Sequence, residues 1–93
     1  MDKQIKDQIK NTLGILRVRE NEPLAKHTYF KIGGPATLFF EARNVEDLKQ
    51  ALTTAHQYQI PYVVIGGGAN VLVSDKGFDG LVIKNRAEEI KLV

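Results

Sequence analysis

Val63-Val64-Ile65-Gly66-Gly67-Gly68-Ala69-Asn70-Val71-Leu72-Val73 is the stretch that decides the fold of this 93-residue chain. A β-branched run enters a triple glycine and a second apolar run leaves it, so both flanks favour extended structure. The three glycines supply backbone that takes φ > 0 and lets another group approach closely. Successive N–H groups in such a turn converge on one concavity, a nest suited to phosphate. The stretch therefore predicts a strand–loop–strand phosphate cradle. A glycine-rich hairpin without a ligand stands beside that reading, because glycine is also a common turn residue.

Two other glycine loops are excluded by their neighbours. The dinucleotide fingerprint G-x-G-x-x-G requires a third glycine where Val71 stands, and a helix after the loop. Here Val71-Leu72-Val73 follows, which favours a strand. The P-loop closes on Gly-Lys-Ser or Gly-Lys-Thr, and neither occurs in the chain.

Upstream of the loop, Ala36-Thr37-Leu38-Phe39-Phe40-Glu41-Ala42 has the composition and length of a strand. Asn44 then offers a helix cap, with Glu46 and Asp47 in the first turn, where negative charge complements the helix dipole. Val45, Leu48, Ala51, Leu52 and Ala55 trace one helical face, and His56 falls near the end. Ile60-Pro61 stops the helix and Tyr62-Val63-Val64-Ile65 begins the next strand. Strand, helix, strand with short connections predicts a βαβ unit with parallel strands. The glycine loop then lies at the carboxyl end of the second strand, where open α/β sheets bind ligands.

Downstream, Ser74-Asp75-Lys76-Gly77-Phe78-Asp79-Gly80 reads as a turn, with Ser74 and Asp75 as turn formers. Leu81-Val82-Ile83-Lys84 follows as a strand, and Glu89-Ile90-Lys91-Leu92-Val93 as the start of another. The abrupt stop after that apolar run suggests a truncated domain. At the other end, Ile5, Ile9, Leu13 and Leu16 form one stripe of a helix over residues 3–16, weakened at Gly14. Residues 17–24 lack a helical stripe and hold Pro23, so they read as an extended connector. The loosely alternating 26–32 reaches a sharp turn at Gly33-Gly34-Pro35, and His27 has no acid or nucleophile beside it in sequence.

Composition narrows the function classes. The length suits one small domain, and 43% apolar with 26% charged residues is ordinary for a soluble chain. The net charge of +2 comes from scattered residues rather than a basic run, which argues against nucleic acid. No cysteine is present, so no disulfide, thiolate metal site or cysteine nucleophile is available. Neither a signal-peptide core nor a run of ~18 apolar residues occurs, so the expectation is a cytoplasmic protein without a membrane segment. No metal site is expected.

Taken together these segments resemble the N-terminal part of the UDP-N-acetylenolpyruvoylglucosamine reductase family, flavoenzymes of bacterial peptidoglycan precursor synthesis. The matching residues are Pro23-Leu24-Ala25-Lys26-His27-Thr28 and Lys31-Ile32-Gly33-Gly34-Pro35-Ala36. Ile60-Pro61, then Ile65 through Asp75, then Gly77-Phe78-Asp79-Gly80-Leu81-Val82-Ile83 complete the pattern. The likeness covers residues 23 to 84, with the N-terminal helix also in its expected place.

The resemblance implies an α+β fold, the N-terminal subdomain of a p-cresol methylhydroxylase-type FAD-binding domain. Residues 1–22 would be the N-terminal helix and connector, and 23–93 the first part of the flavin domain. In that family the loop matching Gly66 to Val71 wraps the FAD pyrophosphate through backbone N–H groups. The implied coenzyme-binding set is Ile65, Gly66, Gly67, Gly68, Ala69, Asn70 and Val71, with Asn70 the side chain that bonds phosphate or braces the loop. No histidine lies between Gly66 and Val73, so the FAD is expected to be non-covalent. The implied reaction passes a hydride from NADPH through FAD to the enolpyruvyl double bond of a UDP-sugar, giving UDP-N-acetylmuramate. The serine, arginine and glutamate that complete the reaction in the family lie beyond the matched stretch, so no catalytic residue is assigned here and the piece alone is expected to be inactive. Two other readings stay open: a stand-alone non-catalytic flavin- or nucleotide-binding module, and another flavin oxidoreductase of the same superfamily.

Overall fold

In the computed structural model, which describes residues 1–27, 34–66 and 77–86, two helices cover one face of a four-stranded mixed sheet. Helix α1 (Lys3–Leu13) leads through a 3-10 turn (Ile15–Arg17) into strand β1 (Val18–Pro23). A second 3-10 turn (Leu24–His27) precedes β2 (Pro35–Ala42), followed by α2 (Val45–Gln57), β3 (Tyr62–Gly66) and β4 (Phe78–Asn85). The sheet order is β1-β2-β4-β3, with β1 antiparallel to β2 and β4 parallel to both of its neighbours.

The βαβ unit is present with its strands parallel, but β2 and β3 are not neighbours. β4 lies between them, and its Leu81-Val82-Ile83 is fully buried because both faces of a central strand are covered. Leu81 and Ile83 join Leu38, Phe40 and Ala42 beneath Ile9, Leu13, Ala51 and Ala55 of the helices. Val82 joins Phe39, Ile65, Leu24 and Ala36 on the other face. Ala36 and Leu38 are two residues apart yet belong to opposite faces. Between them the register with β4 shifts: Ala36 pairs with Phe78 but Leu38 pairs with Leu81, so β4 carries one extra residue.

Both helices follow their caps. Asp2 accepts the Gln4 N–H at 3.2 Å to start α1, and Asn44 Oδ1 accepts the Asp47 N–H at 2.8 Å to start α2. α1 ends three residues earlier than its apolar spacing predicts. Gly14, at φ 106°, turns the chain while its N–H bonds the Lys10 carbonyl at 2.8 Å. Leu16 is consequently not part of the helical stripe; its residue is 98% exposed.

The predicted connector is also revised. Residues 18–23 form β1, because Val18, Arg19, Glu20, Glu22 and Pro23 find register partners along β2. Pro23 and the charged side chains suit the margin of a sheet, where they discourage further pairing. β4 starts at Phe78, earlier than its β-branched run alone suggests, since pairing with Ala36 outweighs the turn character of Asp79-Gly80. The predicted strands at 71–73 and 89–93, and Ser74 and Asp75, lie outside the described residues. Among the described residues no helix is long and apolar enough to cross a membrane.

Candidate functional site

The three parallel strands end level with one another. Ala42 of β2 pairs with Asn85 of β4, which pairs on its other side with Gly66 of β3. The loop after β2 and the glycine loop after β3 therefore leave the same carboxyl edge, beside the start of α2. This is the position that sheet topology assigns to ligands.

Of the sequence-predicted residues, Ile65 is buried against the core that contains Phe39 and Val82. Its side chain anchors the root of the loop, so only its backbone is available to a ligand. Gly66 is half-buried and ends β3 at the edge. Gly67, Gly68, Ala69, Asn70 and Val71 lie outside the described residues. His27 lies in the second 3-10 turn, and His56 in the last turn of α2, edge-on to Tyr62 with ring centroids 5.6 Å apart. Among the described residues no group of three His, Cys, Asp or Glu side chains is placed to hold a metal ion.

The sequence reading missed a set of charged side chains at this edge. Arg17 reaches Asp47 with both terminal nitrogens, at 3.2 and 2.8 Å, and also donates to the Glu41 carbonyl at 2.9 Å. Its guanidinium lies 4.7 Å from the centre of the Phe40 ring. Asp47 additionally accepts the Arg43 backbone N–H at 3.0 Å, with Arg43 Nε 3.7 Å away. The Arg17 hydrogen bonds hold the Asp47 carboxyl below its usual range; partial burial opposes this, and the Arg43 N–H adds to the lowering. Arg86 Nε pairs with Glu41 at 3.0 Å, while the Arg86 N–H bonds the Ala42 carbonyl at 2.8 Å. Arg19 pairs with Glu22 at 3.4 Å.

Leu16, Arg17, Arg19, Phe39, Glu41 and Arg43 line a shallow cleft of about 190 Å³. Guanidinium groups stay charged at all working pH values, so this edge is equipped to recognise negative charge and planar groups rather than to transfer protons. The only sequence signal for the set is positional: Arg43 and Arg86 each stand immediately after a strand end.

Residues 36–92 match the FAD binding domain family. The chain is also 42% identical over 84 residues to the UDP-N-acetylenolpyruvoylglucosamine reductase of Lachnoclostridium phytofermentans, covering 90% of this chain and 27% of that protein. Against the Anoxybacillus flavithermus protein of that name it is 48% identical over 67 residues, 72% of this chain and 22% of the relative. The Bacillus cereus reductase 1 is 40% identical over 84 residues, again 90% of this chain and 27% of the relative. The chain thus spans about a quarter of the length of the curated relatives it matches. The resemblance read from the sequence is borne out.

Proposed function

The chain belongs to the FAD binding domain family, and on that premise we propose that it is the N-terminal portion of a cytoplasmic, FAD-dependent, NADPH-using UDP-N-acetylenolpyruvoylglucosamine reductase. Its task is to hold the coenzyme's diphosphate. Residues 1–22 supply the N-terminal helix and its connection, and residues 23–93 begin a p-cresol methylhydroxylase-type flavin domain. The substrate is a UDP-sugar bearing an enolpyruvyl group, and the catalytic side chains belong to other parts of the polypeptide.

One observation carries this reading: the glycine-rich run departs from Gly66 at the edge where β2, β3 and β4 all end in register. The donor set there fits an anionic coenzyme. Backbone N–H groups of Ile65 to Val71 would cradle the diphosphate, with Asn70 bonding a phosphate or bracing the loop. Ile65 roots that loop in the core, and Arg43 and Arg86 stand just past the ends of β2 and β4 at the same edge. FAD, when bound, supplies hydride transfer; this chain's own residues bind and orient it without a covalent link.

The test is Gly67→Val in the complete protein, with FAD affinity measured by flavin fluorescence. The β-branched side chain blocks close backbone approach, and binding should be lost. A folded variant with unchanged affinity would remove the assignment.

A further inference from the structure

The backbone cradle proposed for the glycine run gives no role to the arginines at the carboxyl edge. Strand register sets Glu41, Lys84 and Ile65 in one row on the face away from the helices. Arg43 and Arg86 each stand two residues further on, past the strand ends and toward the edge from which the glycine loop departs.

In each of their ion pairs the carboxylate is the deeper member. Asp47 is 13% exposed beside Arg43 at 66%, and Glu41 is 29% exposed beside Arg86 at 51%. The acids are therefore the more buried members of these pairs and the guanidinium groups the more exposed, with Glu46 of the first turn of α2 the exposed acid beside Arg43. Each arginine has five N–H donors in a planar fork, more than one carboxylate can use, so a second anion can bind on the outer side. The backbones are fixed as well: the Arg86 N–H bonds the Ala42 carbonyl, and the Arg43 N–H bonds Asp47. Arg17 is committed to Asp47, the Glu41 carbonyl and the Phe40 ring, and Arg19 pairs with Glu22 one row further back.

We propose that Arg43 and Arg86 form a two-guanidinium anchor for the coenzyme's diphosphate, supplementing the backbone cradle from the ends of β2 and β4. The inference rests on the reading of this chain as FAD-binding. Asp47 and Glu41 are positioning residues that hold the two forks ready, which reduces the ordering cost of binding.

The experiment uses apoprotein of the complete polypeptide, with Arg43→Gln, Arg86→Gln and the double variant. FAD is titrated by flavin fluorescence at several salt concentrations, and apoprotein melting is recorded in parallel. Each single variant should raise the FAD Kd about tenfold, the scale of one charge-assisted hydrogen bond, and the double variant more. The dependence of Kd on salt should flatten as the charges are removed. Apoprotein melting should barely move, because both side chains are more than half exposed. Arg86→Lys keeps the charge and should retain more affinity than Arg86→Gln.

A double variant with Kd within about twofold of wild type and an unchanged salt slope would overturn the anchor. So would affinity losses that track losses in melting temperature. Gly67→Val in the same titration separates the two levels. If the wild-type protein does not bind FAD, the coenzyme reading fails; if Gly67→Val binds as wild type does, the glycine-loop cradle fails; if it loses FAD while the arginine variants keep it, only the anchor fails.

Discussion

Three glycines of the described structure separate two physical costs of adding one methyl group. At Gly14, φ is 106°, but a Cβ would meet only Arg17 side-chain carbons from 3.5 Å outward. Gly14→Ala therefore incurs backbone strain without a clash, about 1 kcal/mol. At Gly80 the backbone is not left-handed, yet a Cβ would stand 2.4 Å from the Pro61 carbonyl oxygen and 2.7 Å from Phe78 Cε2. That same oxygen accepts the Leu81 N–H at 3.0 Å. Gly80→Ala must push the chain before β3 away from β4 and weaken this bond, roughly 2–3 kcal/mol. Gly77 combines both terms, with φ 90° and a Cβ position 2.1 Å from the Pro35 carbonyl oxygen. Gly77→Ala should cost the most, about 3–4 kcal/mol. Urea unfolding of the three variants, followed by far-UV circular dichroism, measures the order Gly14 < Gly80 < Gly77. Equal losses at Gly14 and Gly77, or a loss below about 0.5 kcal/mol at Gly80, would refute the separation of strain from contact.

Other outcomes follow from the ion-pair and packing geometry. Arg17→Met should destabilise by about 2 kcal/mol, since two hydrogen bonds to a largely buried carboxylate and the Phe40 contact are lost; denaturant titration reads it, and a loss below about 0.5 kcal/mol counts against the hub. The same pair shapes the acid limb. Asp47 titrates below its unfolded value of about 3.9, so its contribution is present above that pH and fades as pH falls through the depressed native value. In Arg17→Met this part of the loss of stability with falling pH should shrink, as acid titration at fixed urea would show. Leu16→Lys should leave stability within about 0.5 kcal/mol, because the side chain it replaces is solvent-exposed. Phe39→Ala, by contrast, should cost about 3–5 kcal/mol through the void left beside Ile65 and Val82.

Local rules made much of the fold legible. Asn44 announced α2, Ile60-Pro61 announced β3, and the apolar run at 36–42 announced β2, each from short-range chemistry. Non-local pairing was harder to read. Arg19-Glu20-Asn21-Glu22 has little intrinsic strand character, with Asn21 at φ 54°, and becomes β1 only because β2 offers it an edge. The place of β4 between β2 and β3 is likewise a matter of partner choice, which no periodicity records. At the site, the glycine run and the root at Ile65 and Gly66 were visible as a motif. The arginines were not, because Arg43 and Arg86 lie 43 residues apart and meet the same edge only through the Ala42 and Asn85 pairing.

The central place of β4 has a consequence for synthesis. Until residues 78–85 have left the ribosome, β2 and β3 have no common neighbour, and the hairpin-like pair of β1 and β2 carries an uncovered inner margin. The nascent chain must hold its apolar strands in waiting, shielded chiefly by the two helices or by chaperones. Of the four described strands, the last to emerge is thus the one that joins the halves, so acquisition of this sheet should be abrupt in chain length rather than gradual.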